Sequence, residues 1–185
     1  ICMRSSSNVY NQSLIAYMIL NLGEKETEDW IKNLVNNFAR KPFGGDRDQI
    51  KAIASGQCDI TVANVYYLAN MLNSKNKKDV IAAKKVSIFW PNQETFGAHI
   101  NISGAGILKS SKNFKNALMF LEFLSSQKAQ EIYAKNIHEY SIRIDVEPSE
   151  TVFKFGKFKS DHLKLEEIGK KIKIAIYFAS KHNWR

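Results

Sequence analysis

The chain has 185 residues, 44% of them apolar and 24% charged, with a net charge of +9. That length can bury a real core, and no run approaches the roughly 18 apolar residues of a membrane-spanning helix. The lysines are spread along the chain, and their densest cluster, Lys75 with Lys77 and Lys78, is not interleaved with aromatic residues. The charge therefore reads as solvated surface and not as a nucleic-acid-binding face.

The chain opens Ile1-Cys2-Met3-Arg4-Ser5-Ser6-Ser7, with neither an initiator methionine nor a basic stretch followed by an apolar one. We expect it to start on a strand already inside a domain, with any signal peptide upstream. After a short strand over 1–4, a helix is predicted over about 9–22, with Leu14, Ile15, Met18, Ile19 and Leu22 on its apolar face. A second is predicted over about 25–39, where Trp30, Ile31, Leu34, Val35 and Phe38 recur at helical spacing. Lys41-Pro42-Phe43-Gly44-Gly45 breaks the pattern. Asp46 then reads as the cap of a short helix, paired with Gln49 in a capping-box-like arrangement, and Gly56 ends it. A strand is expected over 58–63, a helix from about Asn64, a charged loop over 73–79 and a further strand over 84–90. This alternation favours a sheet covered by helices.

The composition shifts at Pro91-Asn92-Gln93. A strand-like stretch follows over 98–108, then an amphipathic helix over 114–124 presenting Phe114, Ala117, Leu118, Leu121 and Leu124. Another helix covers about 127–135, an extended link about 140–148, and a last helix about 163–181. Cys2 and Cys58 each stand at the start of a predicted strand. They match neither a zinc site nor a CxxC motif, and a disulfide and a pair of buried thiols both remain open.

Two places look alike. In each, a strand runs into a short polar turn and a helix begins with tyrosine in its first turn: Arg4 to Tyr10, and Val62 to Tyr66-Tyr67. In open α/β sheets ligands bind at the carboxyl ends of strands, where helix N-termini favour negative charge. Tyrosine ordinarily ionises near pH 10. A trivalent cation at such a mouth would ionise it, because a bound cation is the largest local charge. Phenolates are hard anionic oxygens suited to a hard cation. The competing reading is that these tyrosines are half-buried packing residues, each with one wet end.

Other features carry less. His99, His138, His162 and His182 show no metal-ligand spacing. Gly104-Ala105-Gly106 lacks the rest of a dinucleotide fingerprint. Gly44-Gly45-Asp46-Arg47 reads as a helix-starting turn, and Ser5-Ser6-Ser7 as a hydroxyl-rich cap or an anion donor. No pairing of Ser with His and Asp, or of Cys with His, points to catalysis.

Several longer motifs resemble one family. They are Arg4-Ser5-Ser6-Ser7-Asn8-Val9-Tyr10-Asn11-Gln12-Ser13, Gly44-Gly45-Asp46-Arg47-Asp48-Gln49-Ile50, and Cys58-Asp59-Ile60 leading to Ala63-Asn64-Val65-Tyr66-Tyr67-Leu68. Phe89-Trp90-Pro91-Asn92-Gln93, His99-Ile100-Asn101-Ile102-Ser103-Gly104-Ala105-Gly106 and the closing Asn183-Trp184 complete the set. In this order they resemble the ferric-binding substrate proteins of iron ABC transporters, in particular the Fut-type branch. The likeness runs over essentially the whole chain.

The resemblance implies an α/β class II periplasmic binding protein fold, with two α/β lobes joined by crossing strands. It assigns 1–94 and 144–185 to the C-terminal lobe and 95–143 to the N-terminal lobe, most of which would lie upstream of Ile1. It implies a periplasmic, non-enzymatic protein, a monomer when full length, that carries Fe(III) to an inner-membrane ABC permease. Tyr10, Tyr66 and Tyr67 match the family's metal ligands, and further ligands, often tyrosine and sometimes histidine, would come from upstream. Ser5, Ser7, Asn64 and Asn70 are candidates to surround the metal or hold an anion. Asn70 stands where relatives often carry an arginine, and losing that charge changes surroundings that tune ligand basicity.

Overall fold

The computed structural model describes residues 1–185. It contains nine helices: α1 (Val9–Leu22), α2 (Glu24–Asn36), α3 (Asp46–Ala54), α4 (Val65–Leu72), α5 (Lys77–Ala83), α6 (Phe114–Leu124), α7 (Gln127–Asn136), α8 (Glu150–Phe153) and α9 (Leu165–Lys181).

The helices α1 and α6 have the bounds that periodicity predicts. The second ends three residues short of the predicted 39, at Asn36, and its C-cap Asn37 donates from Nδ2 to Asn33 O at 2.8 Å. One helix replaces expected irregular chain, and one falls where no element was expected. The charged stretch around 73–79 runs into α5, because Asn76 caps it by accepting from Lys78 N–H at 3.0 Å. A short α8 follows the 140–148 link, capped by Ser149. The capping arrangement of α3 is shifted by one residue from expectation. Gly45 is the N-cap, and its N–H donates to Asp48 Oδ2 at 2.7 Å. Asp46 and Gln49 are both buried and used elsewhere.

The expected strands do not form ladders. Pairing is confined to two isolated parallel bridges, Cys2 with Thr61 and Ala98 with Ser160. A strand is defined by its neighbours, since its N–H and C=O groups pair outward. The segments 1–4 and 58–63 meet at one point, through Cys2 N–H donating to Ile60 O at 3.0 Å, and 84–90 lies against no partner strand.

The main core is a three-helix layer. Ile15, Ala16 and Ile19 of α1 pack with Ile31 of α2 and with Ile168, Ala175, Phe178 and Ala179 of α9, closed by Met3 and Trp184. A second cluster joins α3, α4 and α5 through Ile50, Leu68, Met71 and Ala83, reinforced by a Lys51–Asp79 ion pair at 2.8 Å. Between the two, Cys2 and Cys58 form a disulfide with Cα atoms 5.9 Å apart, buried against Ala52. Of the two cysteine alternatives, the disulfide is realised. The helices α6 and α7 pack on each other and on no other helix. The apolar face predicted for α6 stays largely uncovered, with Phe114 58% and Leu118 41% exposed.

Candidate metal centre

The two tyrosine-bearing turns converge. Tyr10 is the second residue of α1, and Tyr66 and Tyr67 are the second and third of α4. Cys2 and Cys58 staple the segments that lead into them. The Tyr10 and Tyr66 hydroxyls lie 3.2 Å apart, and the Tyr66 and Tyr67 rings face each other with centroids 4.2 Å apart. Three phenols spread over 57 positions of sequence are thus gathered at two adjoining helix N-termini.

The turn before α1 is held firmly. Asn11 Nδ2 donates to Arg4 O at 3.1 Å and to Ser5 O at 3.0 Å, and Gln12 Nε2 donates to Ser6 O at 3.1 Å. Trp184 reaches it from the far end of the chain, donating from Nε1 to Arg4 O at 2.9 Å while its carbonyl accepts from Ser6 Oγ. The turn before α4 is held through Asp46. This buried carboxylate pairs with Arg4 and accepts from Asn64 N–H at 3.3 Å. One ion pair therefore connects both tyrosine-bearing turns. The Arg4 guanidinium also lies 5.8 Å from the centre of the Tyr10 ring.

Burial, followed by hydrogen bonding to Tyr10 and Tyr67, pushes the Tyr66 phenol well above its ordinary value. In the metal-free protein Tyr66 is a neutral phenol sharing protons with its neighbours. The helix dipoles and Arg4 favour negative charge here but do not overcome that burial. A multivalent cation would, and would find hard oxygen donors already clustered. No group of three His, Cys, Asp or Glu side chains is arranged to hold a metal ion. The apolar cleft of about 390 Å³ lined by Leu68, Leu72, Val86, Ile88 and Phe155 contains none of the three tyrosines.

The other predicted residues fall in different places. Asn64 Oδ1 accepts from Asn101 Nδ2 at 3.0 Å, while its Nδ2 is buried without a partner. The Ser5 and Ser7 hydroxyls lie 2.9 Å apart, at the turn that opens α1. Asn70 Nδ2 donates to Tyr66 O at 2.7 Å and to Ile137 O at 2.9 Å, so its amide ties α4 to the residue that follows α7.

Sequence reasoning passed over Arg4, Asp46 and Asn101 as individual site residues, although each lies within a quoted motif. It also read no pairing of Ser, His and Asp that points to catalysis, and the structure brings one residue of each type together. Ser13 Oγ lies 2.8 Å from His99 Nε2, and His99 Nδ1 lies 3.2 Å from Asp161 Oδ2. These residues are 86 and 62 positions apart, so no local spacing could have shown the array. The order is that of a nucleophile triad, but the His99 and Asp161 side chains are only 6% and 2% exposed. Ser13 lies within α1, whose backbone N–H groups are spent on the helix. The array therefore acts as a tie between elements.

Residues 1–152 match the family of bacterial extracellular solute-binding proteins. The chain is 41% identical over its whole length to iron uptake protein A1 of Synechocystis, covering 51% of that protein. It superposes on the ferric binding protein from Campylobacter jejuni with a TM-score of 0.97 at 41% identity, covering all of this chain and 58% of the other. A Trichodesmium protein solved in complex with iron and citrate ligands gives a TM-score of 0.94 at 42% identity, with 59% of that chain covered. The chain thus spans about half the length of the curated relatives it matches. It shares the fold of ferric-binding proteins over that span.

Proposed function

This chain belongs to the family of bacterial extracellular solute-binding proteins, and from that premise we propose that the protein carrying it captures ferric iron and hands it to an ABC permease. Tyr10, Tyr66 and Tyr67 supply phenolates to the iron. The observation that carries this reading is the meeting of the Tyr10 and Tyr66 hydroxyls at 3.2 Å, with the Tyr67 ring alongside at 4.2 Å and tilted by 32°. Three phenolates balance the charge of Fe(III), and the adjacent Arg4–Asp46 pair adds no net charge.

The protein works in the periplasm and catalyses no reaction. Segments 1–94 and 144–185 build one lobe, and 95–143 belongs to the other after a crossing stretch at 97–101 that is held on the first. The isolation of α6 and α7 from the remaining helices supports that division. The apolar face of α6 is then covered by the part of the protein that corresponds to the relatives' additional length. That part also supplies further iron ligands. The lobes close around iron as a hinge, and the unpaired Asn64 Nδ2 holds a carboxylate or similar anion that completes the coordination. Because the phenols must release protons to bind, iron affinity falls as pH falls.

A titration of the full-length protein with Fe(III)–citrate, followed by visible absorption, tests the reading. A phenolate-to-iron charge-transfer band is expected in the wild type and is lost in the Tyr66→Phe/Tyr67→Phe variant. A wild type without such a band refutes the assignment.

A further inference from the structure

The helix that carries Tyr10 is anchored by the same face that presents it. Tyr10, Ser13 and Tyr17 stand at i, i+3 and i+7 of α1. Ser13 Oγ meets His99 Nε2 at 2.8 Å. Tyr17 donates to Gly97 O, accepts from Asn92 Nδ2 at 3.2 Å, and lies against the His99 ring with centroids 4.8 Å apart. The segment 97–101 is therefore laid along α1.

On its other side the segment is fixed to the stretch before α9. Ala98 N–H donates to Lys159 O at 2.8 Å, and its carbonyl accepts from Asp161 N–H at 2.9 Å. Asp161 Oδ2 lies 3.2 Å from His99 Nδ1 and accepts from Ile100 N–H at 3.3 Å, while its Oδ1 accepts from Leu163 N–H at 2.9 Å. Two residues beyond His99, Asn101 donates to Asn64, the N-cap of the helix bearing Tyr66 and Tyr67. One stretch of five residues thus touches the Tyr10 helix at one end and the cap of the Tyr66–Tyr67 helix at the other.

We propose that Ser13, His99 and Asp161 form a positioning relay that locks segment 97–101 between α1 and α4 and so sets the separation of Tyr10 from Tyr66. His99 is the central positioning residue. The inference rests on the phenolate reading above and deepens it. The relay uses both ring nitrogens in one polarity: Nδ1–H donates to the Asp161 carboxylate, which leaves Nε2 to accept the Ser13 hydroxyl. Burial, which disfavours the charged imidazole, is consistent with this neutral tautomer. A side chain without two opposed polar atoms cannot join both partners.

The test compares the full-length wild type with the His99→Ala, His99→Asn and Ser13→Ala variants. Iron affinity is read by chelator competition, together with the charge-transfer maximum and the melting temperature. His99→Ala is expected to bind iron at least about tenfold more weakly, the usual size of an effect transmitted through a ligand's surroundings, with a shifted band. His99→Asn keeps a donor for Asp161 and is expected to fall between His99→Ala and the wild type. Ser13→Ala deletes one hydroxyl and leaves the His99–Asp161 contact in place, so it keeps the test decisive if His99→Ala does not fold. It is expected to shift the band in the same direction. Folded variants with wild-type affinity and band overturn the relay. So does a loss of binding that only follows the unfolded fraction while the band stays in place. A wild type without any band overturns the phenolate reading itself and this inference with it, whereas a normal wild-type band with unchanged variants overturns the inference alone.

Discussion

Replacing both cysteines by alanine should cost about 4 kcal/mol of stability, and the origin of that cost is specific. Cys2 and Cys58 are 56 positions apart, so the bridge closes a loop of nearly 60 residues in the unfolded chain. The loop-entropy relation assigns a closure of that length about 4 kcal/mol at 25 °C. Alanine is the right replacement, because both cysteines are buried and lie against Ala52, where a serine hydroxyl would add an unpaired polar group. Urea unfolding followed by circular dichroism measures the effect. With a slope of roughly 2–3 kcal/mol per molar urea, the midpoint should fall by about 1.3–2 M, and reduction of the wild type should reproduce the fall. The bridge also staples the segments leading to Tyr10 and to Tyr66, so iron affinity should weaken in the same variant. A midpoint within about 0.3 M of the oxidised wild type would refute the reasoning, since it would mean that the unfolded chain gains almost nothing from losing the constraint.

Three other predictions concern the same region. The Tyr66 phenol holds its proton more tightly in the folded protein than in the unfolded chain. The stability this gives is fully present below pH of about 10 and is lost as pH rises above it. Melting temperatures of the metal-free protein from pH 8 to 11 should therefore fall less steeply in Tyr66→Phe than in the wild type. Identical slopes would contradict this. Removing Arg4 leaves the buried Asp46 carboxylate without its cation. Arg4→Met should destabilise by about 3–5 kcal/mol, and adding Asp46→Asn should recover part of the loss in the same unfolding assay. At Gly97 the backbone has φ of +89°, and a Cβ would come within 2.6 Å of Ser160 O. Gly97→Ala should therefore lower the melting temperature clearly, while Gly104→Ala, where nothing lies within 4 Å of a Cβ, should leave it almost unchanged.

Most of the helices, and the place of the three tyrosines in the first turns of two of them, were legible in the sequence because each depends on local information. The apolar spacing of Ile15, Met18 and Ile19 fixes α1, and the polar turns before Tyr10 and Tyr66 mark where helices begin. The α5 helix was missed because Lys77, Lys78 and Asp79 look like solvated loop unless Asn76 is recognised as a cap. The strands failed for the opposite reason. Their β-rich composition is real, but a strand needs partners, and here 84–90 has none. The relay of Ser13, His99 and Asp161 joins three distant segments, and its members carry no local signal at all. The Arg4–Asp46 pair is of the same kind: Asp46 resembles an ordinary helix cap until the fold brings Arg4 to it.

Resonance Raman spectroscopy of the iron-loaded, full-length protein tests the central claim most directly. With excitation in the visible band, tyrosinate ring modes should be strongly enhanced. They should shift when ring-deuterated tyrosine is incorporated and weaken in turn in the Tyr10→Phe, Tyr66→Phe and Tyr67→Phe variants. A stoichiometrically iron-loaded protein that shows no tyrosinate modes, or whose modes survive in all three variants, would contradict the phenolate site.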